Sequence, residues 1–243
     1  MPSSDYGGNP NGLPVSATPS KRSGGGRAGR YHHGDLKAAL VDGAVELIGE
    51  RGVRDFSLAE LSRRLGVTVA APYRHFADRD ELLAAVAVRA LHAFADALAL
   101  ESGEGESGEG ESGQGESGEG SPPEQRLAAM TRGYVRFAAE QRALFDVVYT
   151  TGLDKSRYPE LEPAYQRVEE PFSSCVARLC PDDPEDAAAL EDALEANARG
   201  HAALLLDGSY GEEPDAIDHA AAQAARAALA LIQGFGIRDH LAG

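Results

Sequence analysis

Residues 57–83 read SLAELSRRLGVTVAAPYRHFADRDELL and contain two helix starts of the same kind. Ser57 is followed three residues later by Glu60, and Asp78 is followed three residues later by Glu81. At this spacing the first side chain caps backbone N–H groups of the new helix, while the glutamate reaches back towards the cap. The stretch predicts a short helix that begins near Ser57, a connecting element, and a longer helix that begins at Asp78.

Apolar spacing predicts the neighbouring helices. A first helix extends from Tyr31 to Gly52, and its apolar positions recur at helical intervals. A second helix of about two turns follows, and Gly66 ends it. The apolar positions are Leu36, Leu40, Ala44, Leu47 and Ile48 in the first helix and Leu58, Leu61 and Leu65 in the second.

Pro72 lies in the connecting element, where a proline inside a helix would cost about 3 kcal/mol. If Thr68 is the N-cap of a third helix, Pro72 is its fourth residue, and only the bond to the Thr68 carbonyl is lost. On a helical wheel Pro72 and Phe76 then share the side that packs on the second helix. We therefore expect an intact third helix with a loosened first turn.

The opposite side of this element has the composition of a surface that reads DNA. Ala70, Arg74 and part of Ala71 form it, and Tyr73 and His75 flank it. Small side chains permit close approach to bases, an arginine reads guanine, and hydroxyl or imidazole groups reach phosphates. Helix-turn-helix geometry places the start of the second helix of the motif against the major groove. An ordinary helical hairpin fits the same spacing, so this interpretation also depends on charge.

Charge separates the beginning of the chain from the remainder. The net charge of the 243 residues is −16, which by itself argues against nucleic acid. Residues 1–76, however, contain ten Lys/Arg and seven Asp/Glu, a net +3, and the other residues contain 13 and 32, a net −19. Residues 1–30 are rich in Gly, Ser and Pro and carry four bases, which predicts a disordered basic arm suited to loose DNA contacts.

The rest of the chain predicts helices, and no alternating strand pattern competes with them. Residues 101–120 are four acidic Gly/Ser/Glu pentapeptides, so we expect a disordered, solvated loop at 101–121. The fold class is all-α, with a helix-turn-helix domain at 31–78 and a larger helical domain at 79–243. In the larger domain the helices are expected at about 124–140, 143–150, 159–179, 184–206 and 214–235.

Residues 34–90 resemble the DNA-binding domain of TetR-family transcriptional regulators. The resemblance rests on LIGERGVRDFSLAELSRRLGV, on the Y-x-H-F of Tyr73 to Phe76, and on ADRDELL at the start of the fourth helix. Carried over by position, it implies two sets of DNA contacts. Base contacts are expected at Val69, Ala70, Tyr73 and Arg74, with Ala71 beside them, and phosphate contacts at Ser57, Thr68, His75 and Arg79, with His32 and His33 as weaker candidates.

The A-P-Y-R-H-F form resembles a subgroup whose C-terminal region is named for a Trp-His-Gly pattern. This chain contains no tryptophan, and the corresponding site reads Arg199-Gly200-His201 ahead of LLLDG at 204–208. The family resemblance also implies a homodimer through the last two long helices, a small-molecule effector and a pseudo-palindromic operator in double-stranded DNA.

The C-terminal half supplies candidate residues for the dimer and the effector site. Alanine-rich helical stretches at 187–203 and 220–230 permit close helix packing, although a monomeric core fits them as well. Apolar pockets with a few hydroxyl groups are common ligand sites. The candidate ligand-binding residues are Tyr134, Phe137, Phe145, Tyr149, Tyr165 and Phe172.

Other classes of function find little support. Cys175 and Cys180 are expected to be reduced thiols, and His201, His219 and His240 lack partners for a metal, so neither a metal nor a cofactor is predicted. No motif of an enzyme occurs. Without an apolar run of membrane length or a signal peptide, a cytoplasmic, nucleoid-associated protein is expected. The alternative function is a helical small-molecule-binding or scaffold protein that has no operator recognition.

Overall fold

Eight α-helices account for most of the residues that the computed structural model describes, which are 35–103, 121–211 and 213–236. The all-α prediction is confirmed. The helices are α1 (Asp35–Arg51), α2 (Leu58–Arg64), α3 (Arg79–Ser102), α4 (Pro123–Glu140), α5 (Arg142–Thr150), α6 (Leu161–Leu179), α7 (Pro184–Leu206) and α8 (Ala216–Gly236). The predicted arm, His32, His33, His240 and acidic-loop residues 104–120 lie outside the described residues.

Both predicted helix caps are present. The Ser57 hydroxyl accepts a hydrogen bond from the Glu60 N–H at 3.2 Å, and α2 follows. The Asp78 carboxylate accepts one from the Glu81 N–H at 2.8 Å, and the Glu81 carboxylate in turn accepts one from the Ala77 N–H. These bonds satisfy donors that the first turn of a helix leaves free, and they fix where α2 and α3 begin.

A tight turn joins α2 to the segment that follows it. Gly66 has φ +67°, a conformation that side chains disfavour, and the Val67 N–H donates to the Ser62 carbonyl at 3.0 Å. Gly43 of α1 permits the two helices to approach, because a Cβ at this position would lie 2.9 Å from Leu61 Cδ1. Leu40, Ala44 and Leu61 are fully buried in the resulting core.

Helix α3 forms the centre of the molecule and connects the N-terminal helices to the C-terminal ones. Among the described helices it alone has the length and apolar composition to cross a membrane, but more than half of that window is buried in the core. Phe94 packs face to face on Phe137 of α4, with ring centroids 4.7 Å apart, and edge to face on Tyr134 at 5.1 Å. The apolar character of α3 therefore serves packing.

Two expectations about the C-terminal half change in the structure. Helix α3 continues into the acidic repeat, where Glu101 lies 3.6 Å from Arg132 and 3.5 Å from Arg136, so the predicted loop does not begin at 101.

On α8 the alanines that were expected to face a second chain are largely buried within this one, against α4 and its Val135. These alanines are Ala220, Ala221, Ala224, Ala225 and Ala228.

Candidate DNA-binding face and ligand cavity

The recognition segment, residues 68–76, is not the α-helix that the sequence predicts. It forms turns with a short 3₁₀ helix at Pro72–Arg74. Since Pro72 has no N–H, the Thr68 carbonyl instead accepts from the Ala71 N–H at 2.9 Å, and the His75 N–H donates to the Pro72 carbonyl at 2.9 Å. Pro72 thus stands at the first position of a tighter turn, where a missing N–H costs nothing.

The recognition segment has a buried side and an exposed side, as predicted, although its backbone is not an α-helix. Pro72 is buried, and Phe76 is 2% exposed and lies under the Lys37 ammonium at 5.5 Å. Val69 and Tyr73 are 53% and 54% exposed. Thr68, Ala70 and Arg74 are also exposed, and Ala71 and His75 are half-buried. The candidate base-contacting side chains Val69, Ala70, Tyr73 and Arg74 are thus all exposed to solvent.

Arg79, a predicted phosphate contact, also bonds inside the fold. Its Nε donates to the Phe56 carbonyl at 3.1 Å and its Nη2 to the Val53 carbonyl at 2.5 Å. The guanidinium also lies over the Phe56 ring at 5.7 Å. These contacts join the α1–α2 loop to the start of α3, and they use two of the five N–H donors of Arg79. The Ser57 hydroxyl accepts the cap bond of α2, which leaves its O–H group able to donate.

Arg79→Lys is expected to lower the free energy of unfolding by about 1–3 kcal/mol, since an ammonium cannot reproduce the fork that bonds two carbonyls. Chemical denaturation measures this loss. The slope of operator affinity against salt should stay unchanged, because lysine keeps the positive charge. A normal stability of the variant would contradict the structural role of Arg79.

A cavity of about 280 Å³ lies between α4, α5, α6 and α7, with Leu91 of α3 in its lining. Four of the six predicted ligand residues line it: Tyr134, Tyr149, Tyr165 and Phe172. The other two support the wall from behind. Phe137 is stacked on Phe94, and Phe145 packs against Tyr149 with ring centroids 4.6 Å apart. The sequence identified the aromatic cluster but not which rings face the cavity.

Tyr134 of the cavity lining has a buried hydroxyl close to Tyr149 and Arg199. The residue is 5% exposed, and no hydrogen bond reaches its hydroxyl from the described residues. Burial raises the pKa of this hydroxyl, the neighbouring Tyr149 raises it further, and the Arg199 guanidinium lowers it. The phenol therefore keeps its proton.

Charged side chains at the cavity escaped the sequence prediction because it considered only aromatic residues. Arg199 lies over the Tyr149 ring at 4.4 Å and pairs with Glu195 at 3.1 Å. Three more carboxylates line the cavity, and no ion pair joins them to a base in the described ranges: Glu169, Glu191 and Asp192. The four-residue spacing of 191, 195 and 199 on a helix was the available sequence signal.

An ion pair connects the C-terminal helices to the start of α3. Arg157, in the loop before α6, donates to Asp78, whose carboxylate also caps α3. The cap bond from the Glu81 N–H lowers the pKa of Asp78, and the charge of Arg157 contributes in the same direction. Helix α6 carries Tyr165 and Phe172 of the cavity wall. The Arg157–Asp78 ion pair therefore connects the region of the cavity to Asp78, which lies two residues after the recognition segment.

Comparison with protein families identifies the class of the protein. Residues 40–86 match the model described as bacterial regulatory proteins, tetR family, and residues 127–234 match the one described as tetracyclin repressor-like, C-terminal domain. The two matches together cover more than half of the chain. The chain belongs to the TetR family and is a ligand-responsive, DNA-binding transcriptional regulator of this non-enzymatic family. The C-terminal match does not confirm the Trp-His-Gly subgroup.

Solved structures share the fold. A Rhodococcus sp. RHA1 protein of unknown function is 27% identical, with TM-score 0.64 over 85% of this chain and 98% of that one. The TetR-family regulator PfmR from Thermus thermophilus is 19% identical, with TM-score 0.52 over 76% and 94%. RolR in complex with resorcinol is 20% identical, with TM-score 0.50 over 81% and 91%. No curated protein matches the chain.

Proposed function

We propose that the protein is a dimeric repressor that a small-molecule effector releases from a pseudo-palindromic operator. The outward face of the recognition segment carries this proposal, because Val69 and Tyr73 are more than half exposed beside Arg74. Large apolar side chains that lie exposed next to one another are typical of a surface that meets a partner. Two copies of this face would enter successive major grooves about 34–36 Å apart.

Within that face the residues have different tasks. Val69, Ala70, Tyr73 and Arg74 meet base edges, with Ala71 beside them, and the methyl groups suit thymine while the guanidinium suits guanine. Thr68 and His75 contact phosphates, which fix the position of the segment on the duplex. The helix-turn-helix domain extends over residues 31–78, and the effector and dimer domain over 79–243. The A-P-Y-R-H-F segment supports the Trp-His-Gly subgroup.

Arg74→Ala is expected to cost roughly 1–3 kcal/mol of operator binding and to relax the preference at one base pair. Titration of the variant against an operator and its single-site substitutions measures both effects. Arg63→Ala is a matched control, because Arg63 is exposed on α2 outside the face. A loss that is equal for every sequence would contradict the base-reading role of Arg74.

We assign dimer formation to α7 and α8. Because the α8 alanines are buried within the chain, we expect the interface to use the exposed small residues of α7. On α7 a stripe of small residues repeats at helical spacing and is exposed or half-buried in the single chain. Asn197 holds this helix to α8 by donating to the Ala224 carbonyl at 2.9 Å. The stripe comprises Ala189, Ala193, Ala196, Gly200 and Ala203, and Leu204 beside it is 45% exposed.

The effector occupies the cavity lined by Tyr134, Tyr149, Tyr165 and Phe172. The complex of RolR with resorcinol supports a small aromatic molecule for this fold. Binding would displace α6, and the pair of Arg157 with Asp78 would transmit the displacement to the recognition segment. The effector must bind more tightly to the conformation in which the separation of the two recognition segments does not match successive major grooves. Without this difference in affinity it would not shift the population. The regulator acts in the cytoplasm, on the nucleoid.

A further inference from the structure

We infer that the effector is a small aromatic molecule carrying a protonated amine. This inference rests on the proposed function, since it concerns the ligand of the same cavity. The size of the cavity limits the ring system, and the charges at its opening limit the polar group.

The volume sets the size of the molecule. At about 280 Å³ the cavity is close to twice an engineered cavity of roughly 150 Å³ that binds benzene. One aromatic ring with a short side chain therefore fits. The apolar lining of Leu91, Val176 and Leu194 suits the ring.

Carboxylates set the charge at the opening. Glu169, Asp192 and Glu195 are exposed, and Glu191 is half-buried, so these side chains border solvent. Arg199 is the single base in the lining and is paired with Glu195, which leaves the border three charges negative. A cation entering there is attracted, and an anion is repelled.

The aromatic walls already accept cations. The Arg199 guanidinium lies 4.4 Å from the centroid of the Tyr149 ring, and the Lys155 ammonium lies 3.7 Å from that of Tyr165. Both distances are within the range of a cation–π contact. These two ring faces are therefore already occupied by cations of the chain, and the attraction of a ligand ammonium depends on the four lining carboxylates, which outnumber Arg199 and Lys155 by two.

Three probes with one skeleton test the charge: tyramine, para-ethylphenol and para-hydroxyphenylpropionate, which are cationic, neutral and anionic. Calorimetric titration of the full chain should give the tightest binding for tyramine, about tenfold tighter than for the neutral probe, with the anion weakest. Equal affinities, tighter binding of the neutral or anionic probe, or binding of none of them would overturn the inference.

Substitutions at the cavity test where the probes bind. Glu191→Gln combined with Asp192→Asn should weaken tyramine about five- to tenfold and leave para-ethylphenol unchanged, whereas Asp182→Asn, an exposed acid outside the cavity, should change neither. Ser173→Trp, at an exposed lining position, should block every probe. Tyramine binding that survives Ser173→Trp would contradict the assignment of the cavity.

Operator titration without any probe separates this inference from the proposed function. If the chain binds its operator but prefers the neutral probe, the proposed function stands and the inferred ligand class is wrong. If the chain binds tyramine in the cavity but binds no operator, the inferred ligand class stands and the proposed function is wrong.

Discussion

Phe76→Ala is expected to lower the free energy of unfolding by about 3–5 kcal/mol and to abolish operator binding. Phe76 is 2% exposed and anchors the recognition segment to the core, together with Pro72. Truncation would leave a cavity at the point where the segment has few backbone bonds to hold it. Denaturant unfolding of the full chain measures the loss of stability, and a gel shift measures the loss of binding.

Tyr73→Ala is the matched control, three residues away on the other side of the segment. Tyr73 is 54% exposed, so its removal should change stability by no more than about 0.5 kcal/mol. Operator affinity should nevertheless fall, because the ring lies on the DNA-facing side. If both variants lost the same stability, the two-sided description of the segment would be wrong.

Ala196→Arg is expected to weaken dimerisation by roughly 100-fold or more and, as a result, operator binding. Ala196 lies in the middle of the small-residue stripe on α7 and is exposed in the single chain. In a twofold interface the two new guanidinium groups would be buried without partners. Sedimentation equilibrium should show monomers, while helical content and the unfolding of the monomer stay normal.

Ala177→Arg provides the control for this effect, since Ala177 is an equally exposed alanine on α6 outside the stripe. It should leave the chain dimeric. An unchanged dimer in Ala196→Arg, or monomers in Ala177→Arg, would move the interface away from α7.

Local signals in the sequence predicted most helix boundaries. The caps at Ser57 and Asp78 were found because a short side chain and its glutamate are neighbours along the chain. Helix α7 begins and ends as predicted, at Pro184 and Leu206, since a proline favours the first helical position. The conformation of the recognition segment was missed, because several consecutive backbone bonds rearrange around Pro72 and no single residue signals that rearrangement.

The site required tertiary packing that the sequence does not reveal. Arg79 resembles a phosphate contact by position, yet its donors reach carbonyls more than twenty residues earlier in the chain. Phe137 and Tyr134 both come from α4, and only the packing of Phe94 against them decides which one reaches the cavity. The α8 alanines are a further example. Their periodicity predicts a close-packed face, but it does not reveal that this face packs against α4 of the same chain.

Methylation protection on an operator selected from genomic DNA tests the central claim most directly, because it reports guanine N7 in the major groove. We predict two protected half-sites related by dyad symmetry, with centres one helical turn apart, and a guanine in each half that loses protection in Arg74→Ala. A single asymmetric site, or protection that Arg74→Ala leaves intact, would contradict the placement of two recognition segments in successive major grooves.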